Sequence, residues 1–161
     1  MTHLVIGANS KIGAELFRQL EGRGENVIGT TRRNDDSGMP KLDLLSIDPS
    51  DIPACDVAYI CAAAIKPVPG EMDAMINGTL DVINRLCANG AFPVFLSSQA
   101  VEVRTDDYAK TKAAIERGVS NLNVCVMRLG DVMDIEGCAS EIIKAGISRR
   151  PGLKIYGKLN D

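Results

Sequence analysis

Short apolar, β-branched runs alternate along this chain with longer stretches of helical period, and few folds accept that alternation. Leu4-Val5-Ile6 reads as a strand, and Lys11 to Glu21 then carries Ile12, Leu16, Phe17 and Leu20 at helical spacing. Asn26 to Thr30 is a second strand. Asp56 to Ala62 is nearly unbroken apolar sequence, as in a strand covered on both faces. Glu71 to Ala88 sets Met72, Met75, Ile76, Leu80, Ile83 and Cys87 on one helical face, and Asn89-Gly90 closes it with residues suited to left-handed backbone. A strand over Pro93–Ser97, a helix over Asp106–Ser120, a strand over Asn123–Arg128, a helix over Ser140–Arg149 and a short strand over Leu153–Tyr156 follow. The polar stretch 34–51, with Pro40 and Pro49, reads as a loop holding one short strand near Leu42. Crossovers of helical length join parallel neighbours, so the expected fold class is α/β, a doubly wound parallel sheet. Such sheets bind ligands beyond the carboxyl ends of their strands.

At 161 residues the chain is expected to be one domain, 1–161, with enough length to bury a core. With 45% apolar residues and a net charge of −3 it is not a disordered chain. Mild acidity without a basic block argues against a nucleic-acid partner. The longest apolar run, Val57 to Ile65, falls short of the roughly 20 residues that span a bilayer, so no membrane association is expected. Between Met1 and Gly7 there is no room for a signal peptide. Cys55, Cys61, Cys87, Cys125 and Cys138 form no CxxC, and His3 is the single histidine, so no metal site is expected. An odd, scattered cysteine count without an export signal points to a reducing, cytoplasmic setting.

The first strand runs directly into Gly7-Ala8-Asn9-Ser10-Lys11-Ile12-Gly13. A dinucleotide turn needs glycine where the backbone bends or approaches a pyrophosphate, and another where the helix packs on the strand. Gly7 and Gly13 fit the outer positions, and the helix start offers N–H groups to phosphates. Tyr108-Ala109-Lys110-Thr111-Lys112 is YxxxK, which puts Tyr108 and Lys112 on one helix face. A phenol with a pKa near 10 is a poor acid/base at neutral pH. A lysine ammonium beside it, with an oxidised nicotinamide nearby, would favour the phenolate.

Together these segments resemble the short-chain dehydrogenases/reductases, especially the extended branch related to nucleotide-sugar epimerases and dehydratases. Ile6 to Gly13 is similar to that family's TGxxGxxG turn, with Ser10 in place of the middle glycine, where its Cβ would crowd the pyrophosphate. The resemblance implies a Rossmann-like sheet and a nicotinamide cofactor held by Gly7, Asn9, Ser10, Lys11, Ile12 and Gly13. The ribose-reading position falls on Thr31, followed by Arg32 and Arg33, so NADP is expected in preference to NAD: guanidinium groups hold a 2′-phosphate bidentately. Asp43 and Leu44 resemble the adenine-edge pair, and Ala62 and Ala63 the small residues beside the cofactor. Lys112 would also hydrogen-bond the nicotinamide ribose. Phe95-Leu96-Ser97-Ser98 ends a strand as the family's catalytic serine segment does, and Ser98 matches better than Ser97 because Gln99-Ala100-Val101 follows it. The implied catalytic set is therefore Ser98, Tyr108 and Lys112.

Departures accompany the resemblance. Met75-Ile76-Asn77-Gly78-Thr79 resembles NVxGT with Met75 at the asparagine position, and Arg128-Leu129-Gly130-Asp131-Val132 resembles the start of RPxNVYG with Leu129 for proline and Asp131 for asparagine. Pro151 to Gly157 resembles a late strand of the extended branch, whose further C-terminal part, the substrate lobe, has no counterpart here. The expected activity is NAD(P)-dependent oxidoreductase or epimerase/dehydratase-like chemistry on a carbinol or ketone of a small molecule, with nucleotide sugars the family's commonest substrates. A nucleotide-binding sensor or scaffold without turnover, or the fold alone without nucleotide, are the other readings. Family members pair two helices into a homodimer, and 71–88 and 106–120 would serve here.

Overall fold

The computed structural model describes residues 1–32, 37–62 and 68–159. Its elements run β1 (Thr2–Ile6), α1 (Lys11–Gly22), β2 (Asn26–Thr30), β3 (Val57–Ile60), α2 (Met72–Ala88), β4 (Phe92–Ser98), α3 (Ala100–Val103), α4 (Asp107–Val119), β5 (Cys125–Leu129), α5 (Ile135–Ser148) and β6 (Gly152–Tyr156). The six strands form one parallel sheet in the order β2-β1-β3-β4-β5-β6. This is the doubly wound α/β arrangement expected from the alternation of patterns.

The inner strands β1, β3, β4 and β5 bury both faces, which is why their runs read as continuously apolar. Val5, Tyr59, Val94, Leu96 and Met127 pack with Leu16 and Leu20 of α1 and Ile142 and Ile143 of α5. Leu4, Ile6, Ala58, Ile60, Phe95 and Val126 pack on the opposite face with Val82, Ile83 and Leu86 of α2 and Ile115 and Val119 of α4. Each fully buried Leu, Ile or Phe stabilises the fold by about 1.5–3 kcal/mol. Both layers rest on a sheet whose carboxyl ends all point one way, and the candidate site residues sit there.

The structure departs from the sequence reading in four places. The short strand near Leu42 is only a single bridge between Lys41 and Thr31, because Pro40 has no N–H with which to extend a ladder. β3 stops at Ile60, before Ala62. α5 begins at Ile135 rather than Ser140, capped by the Asp134 carboxylate, which accepts from the Gly137 N–H. Gly137 had masked that start. The one-turn helix α3 was unexpected; the Ala100 N–H at its start donates to the Ser98 hydroxyl at 3.1 Å. Among the described residues no helix is long and apolar enough to cross a membrane.

Candidate functional site

β1 and β3 are neighbours in the sheet, and α1 after β1 and α2 after β3 pack on opposite faces, so this switch point opens a crevice at the carboxyl ends. Gly7 sits there at φ +85°, and a Cβ on it would lie 2.9 Å from the Ala62 backbone nitrogen. The chains after β1 and β3 can meet only because residue 7 lacks a side chain. A Cβ on Gly13 would fall 2.1 Å from the Gly7 carbonyl oxygen, so the helix packs on the strand at glycine distance. The two outer glycines are thus demanded by close backbone approach.

Ser10 does something the sequence reading missed. Its hydroxyl donates to the Gly7 carbonyl at 2.9 Å and accepts from the Gly13 N–H at 3.1 Å, capping α1. The turn is closed by its own side chain. The N–H groups of Lys11 and Ile12, in the first turn, have no intrahelical acceptor and remain to receive an anion. A pocket of about 200 Å³ opens beside them, lined by Gly7, Asn9, Ser10, Arg32, Leu42, Asp43, Leu44, Cys61, Ala62 and Met75.

Seven of the residues read as cofactor-binding therefore share one pocket: Gly7, Asn9, Ser10, Arg32, Asp43, Leu44 and Ala62. Lys11 is exposed beside it, and the Ile12 side chain packs against the α1/α5 core, leaving only its backbone for a ligand. Thr31 is buried in the bridge to Lys41 and does not line the pocket. Arg33 and Ala63 lie outside the described residues. Arg32 Nε stands 3.3 Å from Asp43 Oδ1, which also accepts the Leu45 N–H at 3.0 Å. The Asp43 carboxylate thus meets the guanidinium at Nε. Leu42, Cys61 and Met75 were missed because apolar runs make them look like plain core. Leu44 reaches the pocket because Gly78 of α2 lets its carbonyl approach: a Cβ there would lie 1.7 Å from the Leu44 oxygen.

At the ends of β4 and α4 stand Ser98, Tyr108 and Lys112. Burial raises the Tyr108 phenol above the ordinary tyrosine value, opposed by the Ser98 side chain and the nearby Arg104 charge. In the chain alone, desolvation thus outweighs Ser98 and the Arg104 charge. Arg104 is tied to Asp106, with its Nε 2.7 Å from Oδ2, and its guanidinium lies 5.8 Å from the Tyr108 ring centre. Lys112 is buried, with Nζ donating to the Leu96 carbonyl at 2.7 Å and lying 4.8 Å and 5.7 Å from the Phe95 and Tyr108 ring centres. Burial pulls its ammonium down to about 8, opposed by Cys61 and Glu116. Cys61, whose thiol burial pushes up to about 12, lines the pocket and also feels the Lys112 charge, so it links the two halves of the site. Ser97 is buried and donates to Glu116 at 2.6 Å, so its hydroxyl is committed elsewhere.

No protein-family model matches this chain, and no curated protein matches it. Solved structures do. A short-chain dehydrogenase/reductase superfamily protein from Agrobacterium tumefaciens, with bound NAD, is 19% identical with a TM-score of 0.71 over 83% of this chain, which spans 50% of that one. A dTDP-4-dehydrorhamnose reductase from Clostridium acetobutylicum is 19% identical with a TM-score of 0.78, covering 97% of this chain and 74% of its own. A short chain dehydrogenase from Burkholderia cenocepacia in complex with NADP is 16% identical with a TM-score of 0.77, covering 97% and 87%. At such identities the likeness is one of fold. The chain has the Rossmann-like fold of these dehydrogenases, and it spans between half and most of their lengths.

Proposed function

We propose that this chain binds a nicotinamide dinucleotide across the β1/β3 crevice and serves an NAD(P)-dependent oxidoreductase or epimerase/dehydratase-like reaction on a carbinol or ketone. The observation that carries the reading is Lys112 buried beside the Tyr108 ring and bonded to the Leu96 carbonyl, with Ser98 ending the same strand, at the same edge of the sheet as the Gly7–Ala62 approach. The pocket suits such a cofactor: backbone too close for a Cβ, first-turn N–H groups for phosphates, and Arg32 on its lining. Arg33 would add to a 2′-phosphate site, which favours NADP over NAD, and Ala63 would flank the cofactor beside Ala62.

When bound, the cofactor supplies hydride acceptance or donation. The protein's part is the proton. Tyr108 would exchange it with the substrate oxygen, and Ser98 would hold that oxygen in line. Lys112 would keep a positive charge beside the phenol. Because burial and Asp106 raise the phenol, charge from outside the chain is needed to bring it into working range, which ties proton transfer to cofactor occupancy. Positioned acid/base groups of this kind contribute roughly 10²–10⁴-fold. The nucleotide-sugar reductase among the structural neighbours makes a nucleotide sugar the first substrate class to screen. A homodimer through α2 and α4 is proposed on the family resemblance. Met75 in the pocket, where the resemblance places asparagine, favours a second reading: a nucleotide sensor without turnover.

Titration of the purified chain with NADPH and NADH tests this, read by the reduced nucleotide's fluorescence; the sequence has no tryptophan to interfere. The expected result is tighter NADPH binding, weakened by salt and by Arg32→Ala at least tenfold toward NADPH alone. Binding of neither nucleotide would overturn both readings. Binding without any substrate-dependent absorbance change would favour the sensor.

A further inference from the structure

Along α4, Tyr108, Lys112 and Glu116 follow one another at four-residue spacing, so one face of the helix carries all three. The first two belong to the site described above. Glu116 does not touch it. It meets instead two strands at once, where β4 and β5 place Ser97 and Arg128 directly opposite each other. Glu116 Oε1 accepts from Ser97 Oγ at 2.6 Å and from Arg128 Nε at 3.0 Å, while Oε2 accepts from the Arg128 terminal nitrogen at 2.7 Å. The other terminal nitrogen of Arg128 donates to Glu102 of α3 at 2.6 Å. Only 13% of the Glu116 side chain and 18% of Arg128 are exposed, so water screens the pair little. One carboxylate thus ties α4 to β4 and β5, and through Arg128 to α3, the helix that follows Ser98.

We propose that Glu116 is a positioning residue: its grip on Ser97 and Arg128 fixes the rotation of α4 at which Lys112 reaches the Leu96 carbonyl and lies beside the Tyr108 ring. Two anchors one helical turn apart define that rotation where a single one would leave it free. Lys112 to Leu96 is the upper anchor, and Glu116 to Ser97 and Arg128 is the lower. Glu116 also acts by charge. The ionisable groups bearing on Lys112 among the described residues are Cys61 and Glu116, with the Tyr108 ring adjacent. The Glu116 carboxylate favours the ammonium that burial opposes, while the Cys61 thiol, pushed up to about 12, is uncharged where Lys112 titrates.

The proposal rests on the Ser98–Tyr108–Lys112 reading only for the use made of that face. Its test needs no nucleotide. Lysine side-chain NMR followed through pH gives the Lys112 midpoint, assigned by its absence in Lys112→Met, and the ring resonances of Tyr108 report its place beside Lys112. In Glu116→Gln the Lys112 midpoint should fall by about one pH unit and the Tyr108 resonances should move. Glu116→Asp keeps the charge and should recover most of the midpoint. Should Glu116→Gln not fold, Arg128→Gln reads the same coupling with opposite sign, because an unpaired Glu116 raises the Lys112 midpoint. A folded variant with both signals unchanged would overturn the proposal. A native chain that binds neither NADPH nor NADH would remove the function proposed above and leave this result standing.

Discussion

Single residues at the two ends of the strands carry different kinds of consequence. At the amino end, His3 is fully buried, its ring stacked on Tyr59 at 5.9 Å and its Nδ1 3.2 Å from the phenol oxygen. Its Nε2 has no hydrogen-bond partner, with the Glu25 carboxylate 3.6 Å away. Burial outweighs that carboxylate and holds the imidazole pKa below 6.5. The folded chain therefore keeps His3 neutral where the unfolded chain would protonate it. That stability is fully present above pH 6.5 and is lost as pH falls from there toward the folded value. Urea unfolding midpoints should drop as pH falls below about 6.5, and His3→Phe, which keeps the stacked ring, should flatten the drop. At the carboxyl end, Gly7 and Gly13 were legible in the sequence because close backbone approach admits one residue type. Ser10 was legible only as an exception, since a hydroxyl gives no sign of which backbone groups it will satisfy.

Elements were readable wherever one period ruled a long stretch, as in α1, α2 and α4, and unreadable where tertiary contacts set the limits. Glycine inside α2 illustrates the conflict. Intrinsic propensity says that Gly78→Ala should stabilise the helix by about 1 kcal/mol. The Leu44 carbonyl, 1.7 Å from where that Cβ would sit, says otherwise. Backbone on the facing loop cannot yield as a flexible side chain would, so contact wins. Gly78→Ala should destabilise by about 1–3 kcal/mol, measured by chemical denaturation, and should move Leu44 away from the pocket. The same logic explains the candidate site's missed members. Cys61 and Met75 obey the core pattern of their elements and reach the pocket only because the crevice opens at those positions.

For the molecule as a whole, the parallel, doubly wound sheet followed from crossover lengths, whereas its strand order and its edges did not. β6 closes one edge with Leu153 and Ile155 51% and 58% exposed, on a strand whose outer backbone has no neighbour among the described residues. Exposed apolar edges invite pairing with other chains. Ile155→Lys should leave the unfolding midpoint within about 0.5 kcal/mol of the native value while lowering concentration-dependent association seen by sedimentation. The parallel sheet has a further consequence. It puts ligand-facing loops at one pole and the His3–Tyr59 stack at the other, about 13 Å or more apart along β1 at 3.3 Å per residue. Substitutions that far apart add nearly independently. Strain introduced at the chemical pole by a new specificity can then be offset by better packing at the opposite pole, with no change in the groups that meet the ligand. A lineage built on this plan could alter its chemistry and repair its stability in separate steps, in either order.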